Sequence, residues 1–307
     1  MNKIIVIAGA TASGKSAAAL ALARETGGEI ISADSMQVYR RMDVGTAKPS
    51  AAERALVPHH MIDLCEPDEP YSLADWVSEA RRVIADVHGR GALPIVCGGT
   101  GLYIDTLVDG TSLSEAAGDA AIRAELTARA GSEGAHALWV ELSALDPESA
   151  EAIHENNVRR VIRALEIYRA TGVTKSEWDR RSRSEAPPYD VRYFVIEWSP
   201  RQLLYDRIDR RVDKMFAAGL EAEARALWDE GALTPESVGG QAIGYKELVP
   251  YFRGVCTLAK ASDAIKQATR RYAKRQETWF RRRGDAIRVA GESAGEEITA
   301  RCADDSD

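Results

Sequence analysis

The chain has 307 residues, 45% of them hydrophobic and 28% charged. That is enough for one large or two modest packed domains, and too apolar for a disordered chain. No run of eighteen apolar residues is present and a strand pattern begins within three residues of the N-terminus, so no membrane span and no secretory leader is expected. The net charge of −7 argues against a nucleic-acid binder unless the basic residues are clustered.

Ile4 to Ala8 reads as a short apolar strand and Ala17 to Ala23 as the body of a helix. Between them, Gly9-Ala10-Thr11-Ala12-Ser13-Gly14-Lys15-Ser16 satisfies the phosphate-loop pattern G-x-x-x-x-G-K-[ST]. Strand, glycine loop and helix N-terminus together make an anion site. Backbone N–H groups of residues 9–16 are expected to wrap a diphosphate or triphosphate, Lys15 to set a charge against its oxygens, and Ser16 to ligate Mg²⁺.

Glu29 to Ser32 is a second strand, ending at Asp34. Ser72 to His88 carries Leu73, Trp76, Val77, Ala80, Val83, Ile84 and Val87 at helical spacing. Ala92 to Cys97 is a third strand, running into Gly98-Gly99-Thr100-Gly101. The βαβ rhythm predicts a phosphate-loop α/β core with a doubly wound parallel sheet, in which Asp34 and Thr100 share a rim with the loop. Asp34 there is either a metal organiser or general base, or a turn aspartate. The Ile95-Val96-Cys97 strand ends without an acid, which argues against plain nucleotide hydrolysis.

Composition changes near residue 113, and from about 134 to 190 only helices are read. Asn157 to Ala170 is the clearest, with Val158, Val161, Ile162, Leu165, Ile167 and Tyr168 inward and Arg159, Arg160 and Arg163 outward. Those arginines are either a solvated face or an RNA contact. Val191 to Trp198 is again a strand, and Pro200 to about Glu230 is helical. The organisation expected is a core from 1–112 and 191–290, a helical insertion domain at 113–190, and a loose tail at 291–307 to which nothing is assigned.

Thr257 to Arg283 is the longest helix expected, with Ala261, Ile265, Ala268, Tyr272 and Trp279 on one stripe. Lys266, Arg270, Arg271, Lys274, Arg275, Arg281 and Arg282 cover about half its circumference, with only Glu277 of opposite sign. A solvated face usually mixes signs, so this one is expected to meet a polyanion. Arg180-Arg181-Ser182-Arg183 is a further basic cluster, and the acid includes the tail Asp304-Asp305-Ser306-Asp307. Cys65, Cys97, Cys256 and Cys302 are scattered, which reads as free thiols of a reducing cytoplasm and no zinc site. The adjacent His59 and His60 have no Cys or carboxylate at ligand spacing, so a structural role is expected.

The ordered set of motifs resembles the tRNA dimethylallyltransferases from about residue 3 to 284. It comprises the phosphate loop, Ile31 to Tyr39, Asp43 to Pro49, Pro58 to Asp63, Gly98 to Tyr103, Asn157 to Glu166, Gly219 to Glu223, Gln241 to Glu247 and Lys274 to Arg281. The resemblance implies transfer of a dimethylallyl group from dimethylallyl diphosphate to N6 of adenosine 37 in the tRNA anticodon loop. It implies that the loop holds the donor diphosphate, with Mg²⁺ as cofactor. Asp34 matches the proposed base, Thr100 a threonine near the diphosphate and the acceptor, and Arg211 an arginine reaching the diphosphate. Asp34, Ser35, Met36 and Gln37 match a segment that touches tRNA, as do Thr100, Arg159, Arg160, Val161, Ile162 and Arg163. So do Gln241, Ala242, Ile243, Gly244, Tyr245 and Lys246, and Lys274, Arg275, Gln276, Glu277, Thr278, Trp279, Phe280 and Arg281; Arg123 matches another contact. The anticodon stem-loop is the partner implied, with no membrane, no obligate protein partner, a single chain and a cytoplasmic location.

Ala10 stands where the family has a proline, and residues 112–117 lack its proline-containing stretch, which leaves the alignment of Arg123 open. No Cys/His spacing matches the zinc finger of eukaryotic members, so a bacterial-type enzyme is implied. Three other readings are weighed: a small-molecule phosphotransferase, which leaves the basic C-terminal helix unexplained; an isopentenyltransferase acting on free adenine nucleotide, which needs no grip on an anticodon stem; and a non-catalytic RNA-binding module, which leaves the phosphate loop unexplained.

Overall fold

Runs of Ile, Val and Ala with no polar alternation suit strands covered on both faces, and they are where the sheet forms. In the computed structural model, which describes residues 2–110, 119–182, 187–235 and 237–303, the strands are β1 (Lys3–Gly9), β2 (Glu29–Ala33), β3 (His59–His60), β4 (Pro94–Gly98), β5 (Asp190–Glu197) and β6 (Ile287–Ala290). All pairs are parallel, in the order β3-β2-β4-β1-β5-β6. The fold is therefore the α/β, phosphate-loop type expected. The 112–117 segment, Arg183 and the acidic tail from Asp304 lie outside the described residues.

Two compact units divide the chain, one running to Leu107 and resuming at Tyr189, the other Val108–Pro188. The first unit carries α1 (Lys15–Thr26), α2 (Ala51–Leu56), α3 (Leu73–Gly89) and most of α4 (Gly101–Val108). α3 begins with a capping box: Ser72 Oγ accepts from the Asp75 N–H and the Asp75 carboxylate accepts from the Ser72 N–H. It buries the predicted apolar face, and Trp76 Nε1 donates to Ser32 O at 3.2 Å, pinning the helix to β2.

The second unit holds α5 (Ala120–Ser132), α6 (Ala135–Leu145), α7 (Pro147–Ala152), α8 (Val158–Thr171) and α9 (Lys175–Ser182). Its core is Leu126, Leu138, Leu142, Val161 and Leu165 with their neighbours. Glu166 is buried among them. A buried carboxylate persists only where charge partners offset its desolvation, and Arg123 and Arg163 both reach it, Arg123 at 3.0 Å and Arg163 at 3.2 Å.

The first unit continues with α10 (Arg201–Ala217), α11 (Leu220–Asp229), a 3-10 turn at Gly239–Gln241, α12 (Val249–Phe252), α13 (Leu258–Phe280) and α14 (Ala294–Ala303). The single helix read from Pro200 to Glu230 is two, because Gly219 adopts φ 101° and ends the first. The loose tail expected from 291 is also corrected. β6 joins β5, and α14 packs on α1, with Ala294, Ile298 and Cys302 in one cluster with Ile5, Ala18 and Leu22. Three apolar residues four apart, among Glu296, Glu297 and Arg301, make a stripe too narrow to stand out from its charged neighbours. Among the described residues, no helix is long and apolar enough to cross a membrane.

Ile298 is fully buried, so Ile298→Ala should cost about 2–5 kcal/mol. Urea unfolding followed by far-UV circular dichroism measures this; a loss below about 0.5 kcal/mol, the range of surface substitutions, would place α14 outside the cooperative core.

Candidate active site

The parallel order sets the carboxyl ends of β1, β4 and β2 side by side, where ligands bind in such sheets. The phosphate loop follows β1. Gly14, at φ 102°, caps α1, and the first helical bond is Ala18 N–H to Gly14 O at 3.1 Å. The amides of Lys15, Ser16 and Ala17 therefore precede the helical ladder and form the positive end of its dipole. The loop is braced from outside: Arg207 Nε donates to Ala12 O and Trp198 Nε1 to Ser13 O, both at 2.9 Å, with the Arg207 guanidinium 4.5 Å from the Trp198 ring. Not every loop amide faces an anion, as the sequence reading has it. Thr11 N–H donates to Gln276 Oε1 at 2.8 Å and Ser13 N–H to Ala10 O at 3.2 Å.

Asp34 follows β2. Its Oδ1 accepts from the Met36 N–H at 2.9 Å, so it is a turn aspartate and yet lines the cleft. Its other oxygen makes no hydrogen bond among the described residues. Thr100 supports that turn, its Oγ1 accepting from the Ser35 N–H and its own N–H donating to Ala33 O, each at 3.1 Å.

Lys15, Ser16 and Arg211 line a cleft with Arg207, Arg210 and Lys214. Arg211 also lines the adjoining cavity, of about 290 Å³, with Asp34, Ala242, Tyr272 and Arg275. Burial pushes the Lys15 ammonium below its ordinary range; Cys97 and Asp34 pull it back and Arg211 lowers it further. Burial likewise lowers the Arg211 guanidinium, against the pull of Asp34. The Tyr272 phenol is pushed up to about 12 by burial and by Asp34. Two desolvated cations facing one carboxylate in a cleft are an arrangement in want of an anion.

Two supporting groups lie in motifs matched in the sequence but have no role assigned there. Glu223 accepts from the backbone N–H groups of Asp43, Val44 and Gly45 at 2.8–3.0 Å and from the Tyr245 hydroxyl at 2.6 Å. Lys48 is buried and donates to Tyr39 O, Asp43 and Asp63. Both hold the 43–48 loop, whose Thr46 and Ala47 carbonyls accept from Gln37 Nε2. His60 is also structural. It sits 2.6 Å from Glu29, which takes Arg90 as well, and among the described residues no cluster of His, Cys, Asp or Glu is arranged to hold a metal.

The residues expected to touch RNA divide by exposure. Arg159 and Arg160 are exposed on α8, and Lys274, Arg275, Thr278 and Arg281 on α13. Gln241, Ile243, Gly244 and Lys246 line the cavity beside Asp34, Ser35 and Met36. Val161, Ile162, Tyr245, Gln276 and Phe280 are buried, so their side chains pack and offer nothing to a nucleic acid; Ala242 is buried too, at the cavity wall. Arg123 and Arg163 are engaged by Glu166, Glu277 by Arg201, and Trp279 donates to Asp105 at 2.7 Å. The basic face of α13 is narrower than its own sequence implies, since Lys266 and Arg270 pair with Asp213 and Asp209 of α10. Among the described residues, Arg271, Lys274, Arg281 and Arg282 have no acidic partner.

A phosphate loop, a rim carboxylate and two desolvated cations meet at the carboxyl edge of a parallel sheet, an α/β site whose charge and backbone geometry suit an anionic group. The family model for IPP transferase matches residues 37–283, and that for isopentenyl transferase matches residues 2–59. The chain belongs to the IPP transferase family. A relative from Geobacillus thermodenitrificans, named tRNA dimethylallyltransferase, is 49% identical over 280 residues, 91% of this chain and 88% of its own length. A relative of the same name from Geobacter sulfurreducens is 48% identical over 92% of this chain and 89% of its own. The solved tRNA isopentenylpyrophosphate transferase of Bacillus halodurans superposes with a TM-score of 0.73 at 42% identity, covering 99% of this chain and 96% of that one. A eukaryotic dimethylallyltransferase solved acting on tRNA superposes with a TM-score of 0.81 at 32% identity, over 94% of this chain and 74% of that one.

Glu223→Ala removes one acceptor from three amides and a phenol. It should destabilise the protein by about 1–3 kcal/mol, the penalty for stranding partly buried donors, and speed amide exchange at residues 43–45; unchanged exchange there would show that the loop is held by other contacts.

Proposed function

We propose that the enzyme transfers a dimethylallyl group from dimethylallyl diphosphate to N6 of adenosine 37 in the tRNA anticodon loop, acting as a single chain in the cytoplasm. The observation that carries this reading is Asp34 and Arg211 lining one cavity that adjoins the Lys15–Ser16 anion cradle. The amides of Lys15, Ser16 and Ala17, with Lys15 and Arg211, receive the diphosphate, and that charge offsets the desolvation of both cations. An exocyclic adenine amine is a weak nucleophile because its lone pair is delocalised into the ring. As N6 bonds to the allylic carbon, the C–O bond breaks, the electron pair leaves with the diphosphate, and Asp34 takes the N6 proton.

Mg²⁺ suits this site. Ser16 and Asp34 line one small cavity at the cradle, and Mg²⁺ is commonly held by one or two protein oxygens with substrate phosphates and water. When bound it neutralises charge on the leaving group. The target base must leave its stack to reach the cavity, and the exposed cations of α13 hold the RNA backbone. The absence of an acid after β4 and the unpaired cations of α13 favour this reading over a small-molecule kinase.

Asp34→Ala should lower kcat by a hundredfold or more, as expected for loss of a general base, with tRNA affinity retained; equal turnover would remove Asp34 as the base. Lys274→Ala should weaken tRNA binding and reduce the slope of log K against log[salt] by about 1, measured by filter binding between about 50 and 200 mM salt; an unchanged slope would detach α13 from the RNA. Total tRNA and free AMP compared as acceptors for radiolabelled donor separate tRNA modification from nucleotide prenylation.

A further inference from the structure

Gln276 is the one polar residue of α13 that is both buried and turned into the site. It is 6% exposed, and both ends of its amide are hydrogen-bonded. Oε1 accepts from the Thr11 N–H of the phosphate loop and Nε2 donates to Gly99 O after β4, both at 2.8 Å. The contact is close: a Cβ at residue 99 would fall 2.2 Å from Nε2, so a side chain there would displace the Gln276 amide. One turn earlier, Tyr272 reaches Thr100 and Gln276. The remaining braces of the loop, Arg207 and Trp198, take only its carbonyls at residues 12 and 13. The Thr11 N–H is thus held by α13, whose other face carries the unpaired Arg271 and Lys274. The carbonyl of the same peptide, Ala10 O, accepts from the Ser13 N–H and Lys15 Nζ, each at 3.2 Å.

We propose that Gln276 is a positioning residue for the donor diphosphate: its amide fixes the Thr11 peptide against Gly99, and through it the helix with the exposed basic face sets the shape of the anion cradle. This rests on the phosphate loop being the diphosphate site. A buried amide with both ends satisfied is directional. Loss of its bonds leaves the Thr11 N–H without an acceptor and its peptide held only through Ala10 O, so part of the entropy of ordering the loop falls on the ligand. Gln276 touches neither substrate in this account, and its loss acts on donor affinity.

The test uses the full chain with Gln276→Met, which keeps length and loses both bonds, and Gln276→Glu, which keeps the acceptor for Thr11 but cannot donate to Gly99 O. Binding of inorganic pyrophosphate in Mg²⁺ buffer is measured by calorimetry without tRNA, then the KM for dimethylallyl diphosphate and the Kd for tRNA. In Gln276→Met the pyrophosphate Kd and the donor KM should rise about tenfold, and in Gln276→Glu, which loses only the bond to Gly99 O, at least about threefold, with kcat within about threefold and the tRNA Kd within about twofold, shifts of the size that losing two or one buried hydrogen bonds gives. If one variant unfolds below the assay temperature, the other decides. Donor KM and pyrophosphate Kd within twofold of the parent would overturn the proposal, as would a tRNA Kd that rises as much as the donor KM. Lys15→Ala separates the two levels: if it binds pyrophosphate as the parent does, the loop is not the diphosphate site and both readings fall; if it does not, and the Gln276 variants match the parent, only the positioning role falls.

Discussion

The site depends on the register of one strand. β4 lies between β1 and β2, and its last residue, Gly98, stands opposite Ala8 on one side and Ala33 on the other. Three loops therefore leave the sheet at one level: the phosphate loop after Gly9, the Asp34 turn after Ala33, and Gly99-Thr100-Gly101 after Gly98. A parallel ladder slipped by one residue would turn every side chain to the other face of the sheet. A Cβ at Gly98 would meet Ala33 O at 2.1 Å, so the strand between the two reactive loops must end in glycine for them to stand this close.

What holds those loops comes from far along the chain. The phosphate loop is braced by Trp198, Arg207 and Gln276, the 43–48 loop by Glu223 and Lys48, and the Asp34 turn by Thr100. Each brace is a side chain satisfying a backbone group, and such bonds carry direction as well as energy. Trp198, Arg207, Glu223 and Gln276 thus brace the loops from the C-terminal part of the first unit, and Lys48 and Thr100 from the N-terminal part.

That division explains what was legible in the amino-acid sequence. β1, β2, β4 and β5 with α1, α3, α8 and α13 follow from local periodicity, and the phosphate loop and Asp34 from residue type and place after a strand; the short β3 and β6 are not read from the sequence. Glu223 and Gln276 were legible as members of motifs but not in their roles, because a carboxylate that gathers amides some 180 positions away looks like any surface acid in a helix. Lys266 and Arg270 were misread for the same reason. Their acidic partners lie on α10, so the charge pattern of α13 taken alone overstates its basic face. α14 was invisible because its buried stripe is only three residues wide.

The place of the acid bears on the choice between hydrolysis and alkyl transfer. In hydrolytic phosphate-loop enzymes the second acid organises metal and water close to the phosphates. Here β4, the strand beside the loop, ends in glycines, and the space a side chain would fill is taken by Gln276 and Trp279 of α13: a Cβ on Gly99 or Gly101 would each fall 2.2 Å from one of them. The carboxylate stands one strand further over, on β2. Neighbouring strands are about 4.8 Å apart, so β1 and β2 are separated by roughly 10 Å. Under the proposed function, with the donor's leaving group at the loop after β1 and Asp34 after β2 as the base, that gap suits a five-carbon unit and the amine that attacks it. The same glycines that leave β4 without an acid at its end admit the helix that bears the basic face, so one local feature of the strand end makes room for that helix beside the phosphate loop.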